Sequence, residues 1–181
     1  MKSKRKILII LLLLATVVSS GGISSVQAAD TPSYLPIVVK SCAPSFPLVP
    51  PDDAAREQAM AEAINAARAD HGLSPVTLVY SLTQAARYHS RDMADNDFFS
   101  HNGSNGSSPG ERMTQACYHW SGYGEIIAAG SADVQTILDL WMNSDGHRAI
   151  ILSPDYEDFG VGYARNGSSK YGYYWTVDFG T

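Results

Sequence analysis

Cysteine is almost missing from this 181-residue chain, which has only Cys42 and Cys117. That excludes a disulfide-dense scaffold and a four-cysteine zinc site. Basic residues are scarce beyond the N-terminus. All 18 acidic residues follow Ala28 while four of the 13 basic ones precede it, so the rest carries nine against eighteen, a net −9 with histidine neutral. Such a surface repels phosphate backbones and anionic head groups, and no basic amphipathic helix offsets it. Nucleic acid is therefore excluded as a partner. Long apolar runs are absent after residue 28, which leaves no transmembrane segment in that part.

What the N-terminus does contain is an export signal. Lys2, Lys4, Arg5 and Lys6 precede an apolar run over residues 7–18, and small residues lead to Val26-Gln27-Ala28. A run of about a dozen residues is short of the ~20 a membrane span needs, and the site after Ala28 suits signal peptidase. Residues 1–28 read as a signal peptide and the protein as secreted or extracellular, an uncleaved N-terminal membrane anchor being the alternative. No cysteine closes the apolar run, which argues against a lipoprotein. In an oxidising exterior Cys42 and Cys117 are expected to pair, the alternative being a reactive thiol at Cys117 beside His119.

Residues 29–51 hold Pro32, Pro36, Pro44, Pro47, Pro50 and Pro51, too dense for a helix, and read as an extended linker or stalk. Residues 52–181 form the domain. Asp52 or Asp53 caps a first helix with Met60, Ile64 and Ala67 on one stripe, ended by Gly72. Asn65 and Arg68 are expected to bind backbone carbonyls. Ser81 is expected to cap a second helix, on which His89 reads as a core histidine bonded to a carbonyl. Residues 102–108 read as a mobile loop, and the Asn-Gly-Ser triplets at Asn102, Asn105 and Asn166 as turn chemistry. A short helix starts at Pro109. Another, capped by Ser131 or Asp133, carries Val134, Ile137, Leu138 and Trp141 and is expected to break at Gly146. Two strand-like runs, 159–164 and 171–179, flank a hairpin signal at Asn166-Gly167-Ser168-Ser169.

Three segments carry the chemistry: Phe98-Phe99-Ser100-His101, Gly124-Glu125, and residues 141–148 with Ser144 and His147. Two histidines and a glutamate from separate segments suit one cleft that binds a metal, holds an anion or passes protons. Residues 85–101, Gly124-Glu125, residues 141–152 (WMNSDGHRAIIL) and Phe159-Gly160-Val161-Gly162 together resemble the CAP superfamily (cysteine-rich secretory protein, antigen 5, pathogenesis-related 1), in its bacterial SCP-like branch. The resemblance implies an α+β fold, a three-layer α-β-α sandwich about a mainly antiparallel sheet. It implies a cleft in which His101, His147 and Glu125 match the family residues, with Ser144 where the family has its second glutamate and Ile126 where it has asparagine. Asp145 is a weak substitute, because helix geometry turns it about 100° away.

The cleft supports three readings. As a binding module it takes a small ligand, lipid, peptide or glycan, or a divalent ion such as zinc with His101 and His147 as ligands, and Tyr118, Trp120 and Tyr123 line a rim. As a hydrolase, Glu125 or a histidine serves as base on water toward a peptide or ester, but no nucleophile is marked; Ser144 and His147 read better as helix-end capping. As a structural cluster, the histidines staple segments together. Binding is favoured over catalysis. No residue pattern speaks to oligomeric state.

Overall fold

The structure, a computed structural model, describes residues 42–181; the signal peptide and most of the linker expected from sequence lie outside them. Asp53 caps α1 (Ala54–Asp70) by accepting from the Arg56 amide, and Gly72 at φ +72° turns the chain away after its end. There follow β1 (Thr77–Leu78), α2 (Tyr80–Asp95), α3 (Pro109–Gln115), β2 (Tyr123–Ala129), α4 (Val134–Met142), α5 (Asp145–Ile151), β3 (Asp158–Arg165) and β4 (Tyr173–Gly180). The sheet order is β1-β3-β4-β2, with β1 parallel to β3 and the other pairs antiparallel. Among the described residues strand β2 is therefore a free edge.

Alternation along the strands sorts the layers. Phe159, Val161, Trp175, Val177, Phe179, Ile126 and Ala128 face Met60 and Ile64 of α1, Ile137, Leu138 and Trp141 of α4 and Ile151 of α5. On the opposite face Ile127, Ala164 and Tyr174 meet Met93 and Ala94 of α2. This is the expected α+β sandwich. The glycines of β3 let α2 press on the sheet: a Cβ at Gly160 would sit 2.1 Å from the Leu82 carbonyl carbon, and one at Gly162 2.2 Å from that of Ala86.

Asn65 brackets Val76 through both its amide and carbonyl, and Arg68 donates to the carbonyls of Ser74, Ile151 and Ser153, the backbone roles expected of both. Three local expectations fail. The N-cap of α2 is Val79, not Ser81. Helix α4 ends at Met142, and Gly146 lies inside α5 rather than breaking a helix. Tyr118 is buried, its hydroxyl donating to Asp158, and Trp120 and Tyr123, though exposed, line a separate hollow with Glu111 and Thr114, so none of the three rims the histidine cleft.

Residues 42–51 lie along the domain. Phe46 is buried and stacks on Tyr88, and Gln84 both accepts from and donates to the backbone of Val49. Cys42 and Cys117 form a disulfide across 75 residues of sequence. A loop that long makes the bond worth about 4–5 kcal/mol in the chain-entropy account.

Candidate functional site

The cleft lies across the free edge of β2, with His101 delivered from the α2–α3 side of the sheet and His147 from α5 on the other. His101 immediately precedes residues 102–108, read from sequence as a mobile loop, and hydrogen bonds tie down both. His89 Nε2 donates to the Ser100 carbonyl at 2.8 Å, and Asp92 accepts from the amide and hydroxyl of Ser104. Arg112 donates to the carbonyls of Ser107 at 2.8 Å and His101 at 2.9 Å. Asn105 and Asn166 each close a turn through their side-chain oxygen, the chemistry their triplets suggested.

Glu125 stands at the centre. Its Oε1 accepts from His101 Nδ1 at 2.7 Å and its Oε2 from Arg112 Nη2 at 2.6 Å. The carboxylate has no proton to give, so His101 carries its hydrogen on Nδ1 and turns Nε2 outward. Burial pushes the Glu125 carboxyl up, but the His101 hydrogen bond and the Arg112 guanidinium outweigh it and hold it below the usual range.

Directly across the sheet from Glu125 is Asp178, which is fully buried. Among the described residues neither of its oxygens has a hydrogen-bond partner. Burial, then the charge of Glu125, pushes its carboxyl well above the ordinary value. Burial and the neighbouring Glu125 charge therefore favour the protonated form of Asp178, while His101 and Arg112 favour the ionised form of Glu125.

His147 Nδ1 shares a hydrogen bond of 2.8 Å with Ser144 Oγ. Ser144 occupies the N-cap position of α5, but its side chain caps no amide, contrary to the capping role read from sequence. The contact joins a serine to a histidine without a carboxylate to orient the ring, so a nucleophilic triad is incomplete. Burial and then the His101 charge hold the His147 imidazole below its ordinary pKa. Asp145 points to solvent and pairs with Arg148, and so replaces no glutamate.

Of the residues singled out in sequence, His101 and His147 line the cleft, Glu125 lies buried behind it and is bonded to His101, and Ser144 reaches it only through His147. The cleft holds about 370 Å³, with Phe99 and Tyr171 as one wall, Leu140 as the other, and Ile127–Ala129 as the floor. A metal fits poorly. Both oxygens of Glu125 are committed, leaving two imidazoles, and among the described residues no group of three or more His, Cys, Asp or Glu is arranged to hold an ion.

Arg112 and Asp178 escaped the sequence reading. Arg112 gives no signal in its short helix. Asp178 does: it is the one charge in the apolar run 173–180, alternating with Val177 and Phe179, which face the opposite layer.

His89 is the core histidine expected, with Nε2 on a carbonyl and Nδ1 without a partner. Burial pushes its imidazole down to about 4, against the pull of the Glu125 charge. Between about pH 6.5 and 4 the unfolded chain binds a proton that the folded one refuses. Stability is therefore full above pH 6.5 and falls by up to about 3 kcal/mol as the pH drops to 4. In His89→Gln, which retains a neutral donor for Ser100, the loss on going from pH 7 to pH 4.5 in urea unfolding should shrink by about 2–3 kcal/mol. An unchanged loss would refute the assignment.

A sequence profile of the cysteine-rich secretory protein family matches residues 61–179. Over 130 residues the chain is 35% identical to a Bacillus subtilis (strain 168) protein described as "Uncharacterized protein YkwD", covering 72% of this chain and 49% of that one. It is 32% identical over 109 residues to "Uncharacterized membrane protein YlbC" of the same organism, covering 60% and 32%. A solved extracellular protein containing a SCP domain from Bacillus anthracis superposes with a TM-score of 0.64 at 29% identity, over 75% of this chain and 45% of that one. The chain thus spans half or less of the length of each of these relatives. Among the described residues no helix is long and apolar enough to cross a membrane.

Proposed function

The chain belongs to the cysteine-rich secretory protein (CAP) family, and from that premise we propose that its cleft is an extracellular binding site for a small, largely apolar ligand with one hydrogen-bonding group. One observation carries the reading: an open hollow of about 370 Å³ whose walls are Phe99, Tyr171 and Leu140 and whose polar lining is two imidazoles and Ser100. Apolar walls with a few convergent polar groups are the common form of a small-molecule site. Burial of the walls supplies affinity, while His101 and His147 orient the polar head. The Bacillus anthracis relative being an extracellular protein supports the location.

Titration of the purified protein with octanamide, followed by NMR of the histidine ring protons, is expected to move His101 and His147 together. Leu140→Ser should weaken binding by about tenfold, since it removes one exposed apolar wall without touching the histidine bonds. Ring signals that stay still in millimolar octanamide would refute the reading. If His101→Ala and His147→Ala lower the melting temperature yet leave affinity unchanged, the histidines are staples and not ligand contacts.

A hydrolytic reading has one observation in its favour, the His101–Glu125 pair, which has the form of an oriented general base. Turnover of peptide or ester substrates that is abolished in Glu125→Gln would establish it. The unoriented Ser144–His147 pair weighs against it.

A further inference from the structure

The floor of the cleft is not a set of side chains but the backbone edge of a strand. Three consecutive residues, Ile127, Ala128 and Ala129, line it, although neighbours in a strand point to opposite faces. What they share is the free edge of β2.

The pairing with β4 fixes which backbone groups point there. Gly122 accepts from the Thr181 amide and Gly130 donates to the Tyr173 carbonyl, so the even-numbered residues of β2 bond to β4. In an antiparallel ladder the alternate residues then turn both N–H and C=O outward, and here these are Glu125, Ile127 and Ala129. The Trp141 indole confirms the parity by donating to the Ile127 carbonyl at 3.1 Å. Among the described residues, the Ile127 amide and both backbone groups of Ala129 receive no partner.

Natural sheets guard such edges with charge, proline or a bulge. Residues 127–129 carry no charge and no proline, and the register of β2 on β4 runs without interruption. What stands beside them instead is a pair of walls, Phe99 with Tyr171 and Leu140, leaving a slot.

We infer that this slot binds an extended, uncharged peptide segment of about three residues, added antiparallel to the edge of β2. The inference rests on the cleft being a ligand site and names its ligand class. One peptide residue exchanges both backbone hydrogen bonds with Ala129, and the carbonyl two residues away accepts from the Ile127 amide. The side chains of the added strand alternate, one set meeting Phe99, Tyr171 and His101 and the other Leu140 and His147. Apolar peptide residues suit both walls. The Glu125 carboxylate is already matched by buried Arg112 and is not free to recognise a charged residue.

The test is a titration of the purified protein with acetyl-Val-Leu-Val-amide, read by backbone amide NMR and hydrogen exchange. The expected result is a shift of the Ile127 and Ala129 amides and at least about tenfold slower exchange at Ala129. Ala129→Pro removes only the outward donor, since edge positions whose N–H faces out tolerate proline. It should weaken the peptide by at least about tenfold. Should that variant fail to fold, the same peptide N-methylated at the residue facing Ala129 must lose affinity to the same degree on the native protein. Equal binding of the methylated and plain peptides overturns the inference. If octanamide binds and the peptide does not, strand addition falls alone; if neither binds, the cleft reading falls with it.

Discussion

Arg112→Met is expected to destabilise the protein by about 3–5 kcal/mol, the usual cost of removing one partner from a buried ion pair. Arg112 is completely buried and donates to Ser107, His101 and Glu125. Methionine fills most of its volume but leaves a buried carboxylate with one cationic neighbour fewer. The same change frees the segment carrying His101, whose carbonyl Arg112 holds, so the Ser100–His101 amides should exchange faster. Urea unfolding at pH 7 measures the first effect. The double variant Arg112→Met/Glu125→Leu separates charge from packing, because it removes the carboxylate together with its guanidinium partner. The double change should cost clearly less than the sum of the two singles, by about 1–2 kcal/mol. Additive losses would mean that Arg112 matters for its shape and not for its charge.

Gly162→Ala is expected to cost at least about 3 kcal/mol, at or above the top of the usual range for overpacking. The added methyl carbon would lie 2.2 Å from the Ala86 carbonyl carbon and 2.3 Å from the Arg87 nitrogen. These are helix backbone atoms, which cannot rotate aside as a side chain does, so α2 must lift from β3 along its length. The control is Gly167→Ala in the turn between β3 and β4, where a methyl group meets nothing within 4 Å. It should change stability by no more than about 0.5 kcal/mol. A soluble Gly162→Ala protein with an unchanged unfolding midpoint would show that α2 is not seated on the β3 glycines.

Elements whose pattern is one-sided were readable in sequence. Helix α1 announced itself through Asp53, the Met60–Ile64 stripe and Gly72, and β3 and β4 through the turn between them. Strand β2 was not read as a strand because it is buried on both faces. Glu125, Ile126, Ile127 and Ala128 are all buried, so apolar and polar positions do not alternate. Strand β1, two residues long, has no pattern to show. The break near Gly146 was misplaced because the helix turns at Asn143 and Ser144, where no glycine or proline marks it.

The site divides the same way. His101, Glu125 and His147 stood out by motif, each in its own short segment. Asp178 becomes part of the site only through the register that sets it opposite Glu125, and Arg112 only through the packing that buries it. Sequence displays residues; it does not display which strand lies beside which. Asn65, Arg68 and His89 were read correctly for the opposite reason, since their roles are to satisfy nearby backbone carbonyls.

The Cys42–Cys117 bridge also decides how this protein would bear a mechanical load. Tension applied upstream of Cys42 passes through the sulfurs to Cys117 and bypasses everything between them. Helices α1, α2 and α3 and the His101 segment are thereby enclosed in a slack ring that pulling from the two ends cannot extend. In a force spectrometer the oxidised chain would lengthen only by what lies outside that ring, and a reductant would release the remainder as a separate step.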